Sequence, residues 1–124
     1  FKMINHIPAL VFMQQLKGTY CSTDGLATLS VARVGYGQGI ELRLGDQLQL
    51  AGVVGVSGNS VELFAQVGLP NVVRLTGQLR SQTEIVFDGS DMSFGLSLAS
   101  DGDTLTLVTS FKGRPGMSHV LQRV

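Results

Sequence analysis

A chain of 124 residues that is 44% hydrophobic and 15% charged has the size of one domain and ample apolar surface to offset its conformational entropy, which excludes disorder. Nine Lys+Arg balance nine Asp+Glu, there is no Trp and aromatic residues reach only 6%, so the cationic patch and stacking platform of a nucleic-acid binder are missing. No apolar run approaches the roughly 20 residues of a membrane-spanning helix.

The first predicted element is a helix over residues 8–17. Pro8 suits a first helical turn, where its missing N–H is not needed, and Gly18 is placed to end it. Ile7, Leu10, Val11 and Leu16 follow near-helical spacing, and Phe12 and Met13 widen the apolar surface. A helix this short and apolar needs a cover, as a cap on a β structure or against a partner chain.

After Gly18 the period changes from 3.6 to 2. Ile40, Leu42 and Leu44 alternate with Glu41 and Arg43. Val61, Leu63, Ala65 and Val67 alternate with Glu62 and Gln66, with Phe64 on the polar face. Met92, Phe94, Leu96 and Leu98 alternate with Ser93, Gly95 and Ser97, and Leu105, Leu107 and Phe111 oppose Thr104, Thr106 and Ser110. Turn signals separate these runs at Thr23-Asp24-Gly25, Gly35 to Gly39, Gly45-Asp46, Ser57-Gly58-Asn59, Gly68 to Asn71, Asp88-Gly89-Ser90, Ser100 to Asp103 and Lys112 to Gly116.

Short strands at this spacing predict an all-β antiparallel up-and-down meander over 18–124, within a single domain 1–124. Closure into an eight- to ten-stranded barrel would remove the two open edges. A two-sheet sandwich is disfavoured because every loop is short. Gly52, Gly55, Gly77 and Gly95 fit the bends of a small barrel.

Leu16-Lys17-Gly18-Thr19-Tyr20, a helix followed by a strand opening Gly-x-aromatic, resembles the start of the calycin barrels, the lipocalins and fatty-acid-binding proteins. The resemblance implies a hydrophobic ligand in the barrel. It also implies that Tyr20 packs on Arg123 of the last strand and closes one end. Lipocalins carry Trp where this chain has Tyr20, and their further motifs are not visible. Lys112 to His119 is similar to the last hairpin of nitrobindin-like barrels, in which a His binds haem iron. Those barrels are longer and their other motifs are missing, so no cofactor is expected.

The inward face inferred from alternation is Leu42, Leu48, Leu50, Val54, Leu63, Ala65, Leu75, Phe87, Phe94, Leu96, Leu98, Leu105 and Leu107. These residues serve equally as a packed core or as pocket walls. On the last strand Met117, His119, Leu121 and Arg123 share one face, and Ser118, Val120, Gln122 and Val124 the other. Neither face is cleanly apolar. If the odd face points inward, His119 offers an imidazole among apolar walls, and Arg123 could pair a ligand carboxylate, as the fatty-acid-binding resemblance also implies. The expected ligand-binding set is therefore Leu63, Phe87, Phe94, Leu96, Leu105, Leu107, His119 and Arg123.

Enzyme motifs are not apparent. His6, His119 and Cys21 have no metal-ligand spacing. Gly55-Val56-Ser57-Gly58-Asn59 misses the nucleophile elbow, and Gly35-Tyr36-Gly37-Gln38-Gly39 lacks the helix of a nucleotide-binding loop. Asp101-Gly102-Asp103 and Asp88-Gly89-Ser90-Asp91 read as turns, without the ligand series of a calcium loop. Glu84, Asp88 and His119 are left as a dispersed acid–base set that nothing favours. Cys21, the single cysteine, permits no internal disulfide and no reading of compartment. The chain opens at Phe1, as a processed form or a fragment would, and no signal-peptide order or glycosylation sequon is seen.

Two functional readings follow. One is a small barrel that binds a hydrophobic or amphipathic small molecule inside, its helix closing one mouth. The alternative is a non-enzymatic interaction or assembly module, homodimeric or with another protein partner, whose barrel is packed solid. Its evidence is the apolar surplus on the outward face at Val53, Phe64, Val72, Val86 and Val108.

Overall fold

The computed structural model of the protein describes residues 6–57, 60–68 and 71–124, and of residues 6, 7 and 57 the backbone alone. The expected turn residues Gly58, Asn59, Leu69 and Pro70, and the side chains of His6 and Ile7, lie outside the described residues.

The helix α1 (His6–Gln15) lies a little ahead of its expected span at both ends. Its last turn tightens: the Leu16 N–H reaches the carbonyls of Phe12 and Met13, and the Lys17 N–H that of Gln14. Its buried stripe is Ala9, Phe12, Met13 and Leu16, an i, i+3, i+4, i+7 series. Val11, expected on the apolar stripe, falls outside that series and is 49% exposed.

Ten strands follow: β1 (Gly18–Ser22), β2 (Ala27–Val34), β3 (Gly37–Leu44), β4 (Gln47–Ser57), β5 (Ser60–Gln66), β6 (Val72–Ser81), β7 (Glu84–Asp88), β8 (Met92–Leu98), β9 (Thr104–Phe111) and β10 (Met117–Arg123). Each pairs antiparallel with its neighbour in sequence, and β1 pairs with β10 to close the barrel. The up-and-down barrel read from the alternation is the fold, with ten strands.

Period-2 patterning sends one set of side chains inward, where Leu29, Leu42, Leu50, Leu63 and Leu75 join the helix stripe in one core. The β2–β3 and β3–β4 connections are two-residue turns, and Gly35 and Gly45 open them at φ of +58° and +62°. A positive φ at the first turn residue matches the twist of the strands it joins. Gly37 answers a different demand, because a Cβ there would overlap the carbonyl oxygen of Val54 on β4.

One expected inward residue turns out. The β3–β4 register shifts so that Leu42 faces Leu50 while Arg43 faces Leu48, which leaves Gln49 as the extra residue of a β-bulge. The bulge moves Leu48 to the solvent side, where it is 41% exposed. Leu98 is partly buried and packs against the core.

The meander sets the two ends of the barrel. The β2–β3, β6–β7 and β8–β9 turns lie at one end with the start of β1 and the end of β10, and α1 covers that end by packing on β3, β5 and β6. The β1–β2, β3–β4, β7–β8 and β9–β10 turns ring the other end.

Candidate functional site

At the helix end, Tyr20 and Arg123 stand opposite each other across β1 and β10. The guanidinium carbon lies 4.8 Å from the centre of the Tyr20 ring, the packing that the calycin resemblance implied. Arg123 Nη1 donates to the Lys17 carbonyl at 2.6 Å, and Nη2 to the carbonyls of Gln15 and Gly102 at 3.2 and 3.1 Å. Its Nε faces the Asp103 carboxylate at 3.3 Å. The Tyr20 hydroxyl donates to the Leu16 carbonyl at 2.9 Å. Helix C-termini leave carbonyls without intrahelical partners, and these two side chains bind those of α1. Burial pushes the Tyr20 hydroxyl pKa up, the Arg123 cation pulls it down, and Asp103 adds to the rise. Tyr20 stays a neutral donor.

Leu63, Phe87, Phe94, Leu96, Leu105 and Leu107 have no solvent-exposed surface and sit together in the core. Cross-strand registry builds their layers: Ile85, Leu96 and Leu107 align, and so do Leu98, Leu105 and Leu121. Phe87 and Phe94 face each other on β7 and β8 with ring centres 6.4 Å apart.

The last strand's inward face is the odd one. Leu121 is fully buried opposite Leu105, whereas Val120 is exposed. His119 and Arg123 thus share the inner side but not a site, since Arg123 is engaged with the helix. His119 is half-buried and lies opposite Leu107, toward the uncovered end.

That end forms a funnel with Leu42, Leu44, Leu50 and Met92 among its walls. Val67, Phe111 and Met117 extend the apolar wall, and Gln49, Thr109 and His119 supply polar groups. Its interior room is about 40 Å³, space for about three water molecules. Gln49 arrives through the bulge, so simple alternation directs it outward. Thr109 was accessible from the sequence, because it shares the parity of Leu105, Leu107 and Phe111.

On the β1–β2 turn beside this mouth, Asp24 accepts from the Ser22 hydroxyl at 2.5 Å and from the Leu26 N–H at 3.0 Å. These bonds hold its carboxyl below the ordinary value, the Ser22 bond most, and His119 adds a smaller pull the same way. Cys21 is a half-buried free thiol 3.8 Å from the Thr28 hydroxyl. Among the described residues no group of three or more His, Cys, Asp or Glu gathers as metal ligands would. None of the described helices is long and apolar enough to cross a membrane.

The chain matches no protein-family model and no curated protein. What it shows is a closed ten-stranded antiparallel β-barrel with one short helix over one end, compatible with a calycin-like fold.

Proposed function

We propose that the protein binds a small amphipathic molecule at the uncovered mouth of its barrel. The observation that carries this reading is the convergence of Gln49, Thr109 and His119 on an apolar funnel opposite the helix-covered end. Binding sites are commonly apolar concavities with a few placed polar groups. The small interior room favours a ligand that enters by one narrow apolar end, toward Leu42 and Leu50. Its polar group meets the imidazole of His119, which can donate or accept, and the amide of Gln49. The fully buried residues expected as pocket walls would then support the site from below as packing.

Backbone-amide NMR titration with 1-hexanol and with hexanoate tests this. Shifts are expected at the mouth ends of β3, β4, β8, β9 and β10, and Met117→Trp should remove them. Shifts confined instead to the groove that Pro8, Val11, Phe12 and Gln15 form with residues 79–83 of the β6–β7 hairpin, or none at millimolar probe, would overturn the reading.

A further inference from the structure

The mouth funnel has polar walls without a permanent charge. Its polar lining is Gln49, Thr109 and His119, and among the described residues no Lys, Arg, Asp or Glu joins them. None of the three is tied up by a side-chain hydrogen bond to another described residue. The amide, the hydroxyl and a neutral imidazole each offer a donor and an acceptor.

The charges of this part of the barrel are placed elsewhere. Arg123 shares the inner face of β10 with His119, but it sits roughly 13 Å further along the strand. Its guanidinium is engaged there by the carbonyls of Lys17, Gln15 and Gly102. The β9–β10 turn carries Lys112 and Arg114, both exposed and neither lining the funnel. Asp24, Asp46 and Asp91, exposed on three other turns of the same rim, offset them. Asp24 also stands near enough to His119 to feel its charge, so a protonated imidazole has its counter-ion already beside it.

We infer, on the basis of binding at this mouth, that the ligand's head is uncharged and both donates and accepts, a hydroxyl or a primary amide, on a narrow apolar chain. An ionised head would shed water against walls that hold no fixed opposite charge, and an unpaired ion costs far more to bury than a hydrogen-bonded neutral group. The interior room of about 40 Å³ leaves no space to carry a hydration shell inward. A carboxylate would in addition meet the Asp24 carboxylate at the rim. An ammonium would find acceptors in Gln49 and Thr109 but no anion in the walls. A neutral head exchanges its hydrogen bonds to water for those of Gln49, Thr109 and His119 and leaves no charge stranded.

The experiment compares four probes of equal chain length, 1-hexanol, hexanamide, hexanoate and hexylammonium, by backbone-amide NMR titration of the whole chain. It is run at about pH 8, where a carboxylic acid is ionised and an alkylammonium still protonated. Hexanamide and hexanoate differ in charge while nearly matching in shape, so their ratio is the decisive quantity. Hexanol and hexanamide should each bind at least about fivefold more tightly than hexanoate and hexylammonium. Gln49→Lys, which adds a cation at the rim of the funnel, should reverse the order and bring hexanoate ahead of hexanamide. Hexanoate equal to hexanamide in the unaltered protein would overturn the inference and leave mouth binding standing, as would hexylammonium as the tightest probe. An order unchanged in folded Gln49→Lys would overturn it too, since the walls would then not decide the charge. Absence of mouth shifts with all four probes would overturn the mouth itself as the site and this inference with it.

Discussion

Arg123 stacks on Tyr20 while its guanidinium holds carbonyls on both sides of the barrel seam. The ring and the cation meet from opposite ends of the chain, and both also bind the end of α1. This one side chain therefore joins helix, first strand and last strand.

Arg123→Ala should lower stability by about 2–4 kcal/mol, since it deletes several charge-assisted hydrogen bonds and a cation–π contact. Hydrogen exchange should accelerate first in α1 and β1. Arg123→Lys should recover only a minor part, because an ammonium cannot reproduce the planar fork. Equal recovery by Lys would show that charge alone matters.

Phe94→Ala should cost about 3–5 kcal/mol, as expected for a buried aromatic whose site cannot fully collapse. In the folded fraction, hexanol shifts at the mouth should persist, since Phe94 supports the funnel rather than lining it. Selective loss of those shifts with stability intact would make Phe94 a ligand contact instead.

Gly37 and Gly55 should respond oppositely to alanine. A Cβ at Gly37 overlaps the Val54 carbonyl, whereas one at Gly55 meets nothing within 4 Å. Gly37→Ala is expected to destabilise by about 1–3 kcal/mol. Gly55→Ala should be neutral or stabilising by up to about 1 kcal/mol, through the unfolded chain. Urea midpoints of the two variants decide the point.

Acid should weaken the fold at two turns. Asp101 accepts from the backbone of Asp103, from the Thr104 hydroxyl and from the Thr104 N–H, which together hold its carboxyl below the ordinary 3.8. Asp24 is held low by Ser22 and Leu26 in the same way. A carboxyl with a folded pKa below its unfolded one adds stability above the unfolded value, and that stability is lost as pH falls through the folded value. Thermal midpoints should therefore drop below about pH 4, and Asp101→Ala should flatten the decline. An unchanged slope in that variant would remove Asp101 from the account.

The barrel was legible because alternation is a local signal: Met92, Phe94, Leu96 and Leu98 announce their inward side without reference to any partner. The helix stripe was legible in outline, but Val11 and Phe12 are both apolar neighbours and only packing against the barrel chooses between them. β10 was not legible, since Met117, His119 and Arg123 mix with Leu121 on one face while Val120 and Val124 occupy the other. The pairing of Leu121 with Leu105 settles it. Leu48 failed for another reason: a bulge is a property of two strands, and the run Gln47 to Leu50 carries no mark of it. The same bulge brings Gln49 to the mouth, so the site's amide was hidden with it. Phe64 was visible as an exception to its strand's pattern.

The β1–β10 seam consists of Tyr20–Arg123, Cys21–Gln122 and Ser22–Leu121, with the Val124 N–H bound to the Thr19 carbonyl beyond it. Every other strand pair joins sequence neighbours and can zip from its own turn. The seam alone must close a loop of nearly the whole chain, an entropic cost that local pairing does not face. During synthesis β1 therefore waits with an unsatisfied edge until β10 has left the ribosome. Stalling synthesis before β10 emerges should hold the nascent chain as an open, aggregation-prone curl rather than a barrel.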